Sequence, residues 1–218
     1  MKFNEKLKAI EFRKKGVGFG QILKEVRVSK STLSLWLRDV EVDKDIKEKI
    51  LVGRELSRRL AAESRKQQRK INTAAAIEQG TKEFSRLSNN PLFLAGLCLY
   101  WAEGDKHKQE RVKFTNSDEK MIFLMMKWFR EICEVPEEKF RIALHVHNLH
   151  VANDVKNYWS QITGVPESQF QKIYVKPTTL RQRRNILYNG TCGIVVSNKA
   201  LFRRISGWKI SLLGYLSP

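Results

Sequence analysis

The sequence predicts an α+β protein: three short helices, a long basic helical connector, then a mixed α/β domain in which an antiparallel sheet carries helices on one face. Three observations predict it. Apolar residues recur at helical spacing through residues 3–38, and no proline interrupts the chain before Pro91. Beyond Pro91 the period changes to the two-residue alternation of strands, in "RVKFTNS" and "FRIALHVH". A repeat follows, "WFREICEVPEEKF" against "YWSQITGVPESQF", with Pro136 and Pro166 thirty residues apart; each copy is a helix, a V-P-E turn and a phenylalanine leading into a strand. The chain is expected to divide at 1–41, 42–89 and 90–218.

In the first module, "FNEKLKAIEFRKKG" places Phe3, Leu7 and Ile10 on one face and stops at Gly16. "FGQILKEVRV" gives a second helix with Ile22, Leu23 and Val26 inside. Ser29 is placed to N-cap a third helix, "KSTLSLWLR", in which Leu33, Trp36 and Leu37 face inward. Lys30, Ser31, Thr32, Ser34 and Arg38 remain outside, and each can hydrogen-bond a phosphate or a base edge. The spelling I-x-x-x-x-x-V-S-K-S-T-L-S-x-W-L resembles the helix-turn-helix of resolvases and transposases, with Leu23 and Arg27 where that pattern has a small residue and a glycine. The resemblance implies a third helix that reads DNA from its N-terminal end.

From Val42 to Ser88 only Gly53 and Gly80 punctuate the chain, so either one long helix or two helices hinged near Gly80 are expected. Between Arg54 and Lys70 seven basic residues stand against two acidic ones. A charge run is ordinarily a solvated face. This one is single-signed, which makes Arg58, Arg59, Arg65, Lys66, Arg69 and Lys70 candidates for phosphate contacts that add affinity without sequence information.

In the third module Asn90 can cap a helix from Pro91 to Glu103, with Gly104 past its end. "DKHK" and "RVKFTNS" read as a short basic hairpin. Ser117 is expected to cap "SDEKMIFLMMKWFREIC", with Asp118 and Glu119 in its first turn. "VANDVKNYWSQITG" and "KALFRRISGWKISLL" are helices, "KIYVKP" and "CGIVVSN" strands. Trp128, Trp159 and Trp208 lie on apolar stripes and belong to the core.

Charge narrows the partners. The 41 Lys and Arg against 23 Asp and Glu give a net +18, and self-repulsion of that size calls for a polyanion. No apolar run reaches the roughly 18–20 residues of a membrane span, and "MKFNEKLKAIEF" is not a secretory leader. That points away from membranes and towards nucleic acid. Cys98, Cys133 and Cys192 are scattered and odd in number, which suits a reducing, cytoplasmic setting, nucleoid-associated in a prokaryote. His145 and His147 alternate on one strand face, with His107 and His150 nearby. They can be polar contacts to DNA or part of a zinc site, and no cysteine stands close by.

"LAGLCLYWAEGDK" (Leu94–Lys106) ends an apolar helix in two carboxylates and a glycine. With the order of elements over Asn90–Leu213, it resembles the LAGLIDADG motif of homing endonucleases and related DNA-binding regulators. The literal Leu94-Ala95-Gly96 would set the family's acid on Trp101. Aligning the acid and its glycine on Glu103-Gly104 instead puts Cys98 and Ala102 at the motif's small positions, and Ala95, Cys98 and Ala102 form a thin stripe at i, i+3, i+7. The resemblance implies a homodimer whose two such helices cross, a sheet face in the major groove, and two copies of Glu103 that hold Mg²⁺ in relatives that cut DNA. Asp105 ranks behind Glu103. Some relatives joined to a helix-turn-helix only grip DNA.

The basic reader would then comprise Lys106, Lys108, Arg111 and Lys113 on the hairpin, and Lys176, Arg181, Arg183 and Arg184 on the connection "KPTTLRQRRNILYNG". Lys113, Arg141 and Lys172 are further candidates by strand placement. The expected function is sequence-specific binding of double-stranded DNA as a transcription regulator, without a cofactor. The alternatives are a Mg²⁺-dependent homing endonuclease that cuts both strands as a homodimer, and a binder of structured RNA.

Overall fold

The computed structural model describes residues 2–105, 110–147, 152–176 and 189–217. Among them are eight α-helices and a four-stranded mixed sheet, an α+β protein. By compactness the chain divides into two units, 1–69 and 70–218, and the helix of the expected connector contributes to both.

The first unit holds α1 (Phe3–Lys14), α2 (Phe19–Glu25), α3 (Lys30–Trp36) and the start of α4 (Lys44–Leu87). Its core is small: Ala9, Ile22, Val26, Leu33 and Leu37, with Ile10, Phe12, Phe19, Leu23 and Trp36 packed round it. One expectation is corrected. Phe3 and Leu7 are 59% and 51% exposed, and α1 instead turns Ala9 inward, where a small side chain sits against α2 and α3. Ser29 caps α3 as expected: its Oγ accepts from the Thr32 amide at 3.1 Å. The helix is shorter than expected and ends at Trp36, so Arg38 lies in the turn beyond it. Gly16 follows α1 at φ +84°, where a Cβ would stand 2.7 Å from Ile46 Cγ2 of α4.

The second unit holds the end of α4, α5 (Pro91–Glu103), α6 (Glu119–Glu131), α7 (Ala152–Thr163) and α8 (Lys199–Leu216) around β1 (Val112–Asn116), β2 (Phe140–His147), β3 (Tyr174–Lys176) and β4 (Thr191–Val196). The strand order is β1-β4-β2-β3. The first three strands are antiparallel neighbours, but β3 runs parallel to β2, so the fully antiparallel sheet expected from sequence is replaced by a mixed one. The reason is the α7 crossover, which returns the chain in the direction in which β2 left. Phe140, Ile142, Leu144 and Val146 alternate into the core with Val112, Phe114, Cys192, Ile194 and Val196, where Trp128, Trp159 and Trp208 are wholly buried.

Helix boundaries follow local chemistry. Asn90 Oδ1 accepts from the amides of Leu92 and Phe93, and Pro91 starts α5. At α6 the cap is Asp118, not Ser117: its carboxylate accepts from the Lys120 and Met121 amides, a stronger charge-assisted cap. Gly80 is not a hinge. α4 runs unbroken through it, and a Cβ there would stand 2.1 Å from the Arg204 carbonyl oxygen of α8.

The thirty-residue echo is a structural duplication. Beyond the ends of α6 and α7 stands a left-handed residue, Glu134 at φ +55° and Gly164 at φ +68°, followed by Val-Pro, a single 3-10 turn and a phenylalanine. Arg130 ties the copies together: it forks onto Glu137 at 2.6 and 2.9 Å and donates to the Thr163 carbonyl at 2.9 Å. The first copy places an exposed glutamate where the second uses glycine. A left-handed non-glycine costs about 1–2 kcal/mol, partly offset by the unfolded-state entropy of glycine. Glu134→Gly is therefore expected to stabilise the protein by about 0.5–1 kcal/mol, seen as a Tm higher by roughly 1–4 °C. An unchanged or lower Tm would show that the glutamate side chain contributes more than its backbone costs.

Candidate nucleic-acid interface

Alternation along the strands leaves a second sheet face outside the core. Register sets out its rows. Lys113, Val195 and Arg141 lie side by side; then Thr115, Gly193 and Ala143; then Thr191, His145 and Tyr174; and His147 beside Lys176. Four of these eleven residues are Lys, Arg or Tyr with a long polar reach, two are histidines, and none is acidic. The middle row is small. A Cβ on Gly193 would meet Thr115 Oγ1 at 3.1 Å and Lys113 Cε at 3.3 Å, so the lysine stem lies across a dip in the face.

His145 is at the focus of this charge. Its pKa is lowered by burial first and by Lys113 and Lys176 next, so the ring is neutral at pH 7. Its Nδ1 is buried without a hydrogen-bond partner, and the ring lies 5.6 Å from that of Tyr174. Arg141 is partly tethered, donating from Nη1 to the Phe140 and Glu138 carbonyls at 2.6 and 2.8 Å. Of the three candidates named by strand placement, Lys113 and Arg141 lie in strands and share a face, whereas Lys172 lies outside the strands. Tyr174, Thr191 and Thr115 were not legible as site residues; only strand register brings them there.

The hairpin residues divide. Arg111 is half-buried and pairs with Asp105 at 3.4 Å, while Lys106, Lys108 and His107 lie outside the described residues, as do His150, Arg181, Arg183 and Arg184. Most of the expected partner strand lies outside the described residues; beside it Gly104 bridges to Phe114, and the Asp105 amide donates to the Lys113 carbonyl at 2.8 Å. Gly104 has to be glycine, because a Cβ would fall 2.3 Å from the Tyr100 carbonyl oxygen. Its close return delivers the chain from α5 straight to the sheet edge, with Glu103 exposed just before it.

α5 is apolar on every side. Phe93, Gly96, Leu97 and Tyr100 point into the core, and a Cβ on Gly96 would collide with Trp128 at 2.1 Å. The literal glycine of "LAG" is therefore an internal packing residue. Ala95, Cys98 and Ala102 are exposed together on the other side, and the Cys98 thiol is free. A wholly apolar helix with one bare, thin face is incomplete as a surface.

In the first unit Lys30, Ser31, Ser34 and Arg38 are exposed, and Thr32 is half-buried with its hydroxyl 2.8 Å from Ser29 Oγ. Arg58, Arg59, Arg65 and Lys66 are exposed on α4; Arg59 pairs with Glu55, and Arg65 Nε donates to the Ala61 carbonyl. No group of three His, Cys, Asp or Glu side chains suited to a metal occurs among the described residues, which include Glu103, His145 and His147 but not His107 or His150. No helix of the described residues is long and apolar enough to cross a membrane. No family model, no curated protein and no solved structure matches the chain.

Proposed function

We propose that this protein is a sequence-specific binder of double-stranded DNA that acts as a transcription regulator, pairing a helix-turn-helix in α1–α3 with a LAGLIDADG-like second unit. The observation that carries the reading is the sheet face outside the core, which presents Lys113, Arg141, His145 and Lys176 with no carboxylate among its described residues. Such a face suits the major groove, and its cations suit phosphates. The hydroxyl-rich N-terminus of α3 supplies a second reader, and the bare Ala95–Cys98–Ala102 stripe supplies the contact for a homodimer.

Selection of bound duplexes from a random pool tests this, with inspection of the winners for two-fold symmetry. On the selected duplex, Lys30→Ala/Ser34→Ala is expected to lower the ratio of specific to nonspecific affinity at least tenfold, since lost base contacts cost about 1–3 kcal/mol each. Lys113→Ala/Arg141→Ala is expected to weaken both kinds of binding. A random-pool selection that enriches nothing, or folded RNA that outcompetes duplex DNA at matched salt, would sink the proposal.

A second reading, a Mg²⁺-dependent endonuclease, is favoured by the exposure of Glu103 next to the thin stripe. A homodimer would bring two such carboxylates together, and a divalent ion held there supplies Lewis-acid activation of water at a phosphate. Incubating supercoiled plasmid with Mg²⁺ decides between the two. Cuts made by the wild type and lost in Glu103→Gln would replace the regulator with the nuclease.

A further inference from the structure

The first unit contains a cleft that the recognition helix does not line. It has a volume of about 860 Å³ and lies between the α1–α2 turn and the first turns of α4. Four cations face it, Lys15, Lys49, Arg54 and Arg58, over a floor that includes Ile46 and Ile50, and no carboxylate is among its lining residues. Glu11 reaches Lys15 from one side, which leaves Lys49, Arg54 and Arg58 without an ion-pair partner in the cleft.

Two features show that the cleft is built. Its walls meet at Gly16, where a Cβ would come within 2.7 Å of Ile46, so only glycine lets the turn close on α4. Within electrostatic reach of Arg54, Arg13 Nη1 is buried without a hydrogen-bond partner, its guanidinium stacked 5.3 Å from the Phe19 ring. Burial, and then the charge of Arg54, work against the Arg13 charge. A like-charged set this close is stabilised by an anion.

We infer that this cleft grips the phosphodiester backbone of the DNA bound by the first unit, as a clamp separate from the base-reading face of α3. From Lys49 to Arg58 the cations span nine residues of helix, about 13 Å of rise. That is longer than one phosphate group and suits successive phosphates of one strand. The clamp adds affinity and orientation but no sequence preference. It deepens the DNA-binding reading and rests on it.

The test is the salt dependence of duplex binding by the full chain. Three exposed cleft cations are neutralised in Lys49→Gln/Arg54→Gln/Arg58→Gln, and three exposed cations elsewhere in Lys24→Gln/Lys120→Gln/Lys127→Gln. Because all six positions are exposed, both variants should retain the wild-type circular dichroism. Each lost phosphate contact removes about 0.9 from the slope of log K against log salt. The cleft variant should lose roughly 2–3 from that slope with its preferred sequence unchanged, and the control less than 1. Equal slopes for the two variants overturn the clamp while leaving DNA binding intact. Equal slopes, with a rise in Tm on adding inorganic phosphate that only the wild type shows, would give the cleft to a free anion and equally overturn the backbone assignment. A wild-type chain that binds no duplex overturns both readings.

Discussion

Replacing Glu110 by alanine is expected to lower the stability of the second unit by about 3–5 kcal/mol, and its Tm by on the order of 6–20 °C. Glu110 receives a two-pronged contact from Arg203 of α8, Nε to Oε1 at 3.1 Å and Nη2 to Oε2 at 2.9 Å. The two side chains are only 16% and 10% exposed. Removing the carboxylate strands a nearly buried guanidinium, and the cost is that of an uncompensated charge rather than of a lost hydrogen bond. Backbone strain provides the discriminating variant. Glu110 stands at φ +51°, so Glu110→Gly relieves about 1 kcal/mol and would stabilise the protein if the side chain contributed nothing. It is expected instead to remain destabilising by about 2 kcal/mol or more, and Glu110→Ala/Arg203→Met should recover most of the loss. Thermal melts followed by the fluorescence of the buried tryptophans report all three. A stabilised Glu110→Gly would show that the ion pair contributes nothing net. The pair also bears on the candidate sheet face, because it anchors to α8 the residue that stands two before the start of β1.

How much of this could be read from the residues depends on how local the signal is. α5 begins at Pro91 and ends at Glu103 as expected, because Asn90, Pro91 and Gly104 act within a turn of where they stand. β2 spans the quoted "FRIALHVH", since strict alternation over eight residues fits only a half-buried strand. Nonlocal choices were not legible. Phe3, Leu7 and Ala9 all suit an inner helical face, and only the surfaces of α2 and α3 select Ala9. The direction of β3 depends on its crossover, and the face shared by Lys113, Arg141 and His145 depends on the registers of β4 with both its neighbours. Individual cations can be named from sequence; which of them converge cannot. Lys15 and Lys49 illustrate this, for nothing in their neighbourhoods distinguishes them from other surface lysines until the α1–α2 turn meets α4.

The same substitution at two glycines of α4 is expected to act with opposite signs. Gly53→Ala should stabilise the first unit by about 1 kcal/mol, because a Cβ there meets nothing within 4 Å and alanine is the better helix former. Gly80→Ala should destabilise the second unit by about 2–3 kcal/mol despite the same gain in propensity. Its Cβ would fall 2.1 Å from the Arg204 carbonyl oxygen, and on the facing helix a Cβ at Gly207 would fall 2.2 Å from the Ile77 carbonyl oxygen and 3.1 Å from Gly80 Cα. Both obstacles are backbone, which cannot rotate aside, so α4 and α8 have to separate. Separation strains the contacts beside the crossing: Trp208 Nε1 to Glu83 Oε2 at 3.0 Å and Arg204 Nη2 to the Cys133 carbonyl at 3.0 Å. Gly207→Ala is expected to repeat the loss from the other side, and combining it with Gly80→Ala should cost less than the sum, because one displacement of the helices relieves both clashes. Denaturant unfolding of the four variants settles the matter. If Gly80→Ala stabilised the protein as Gly53→Ala does, the close crossing would be refuted, and Gly80 would again be a candidate hinge in the long helix.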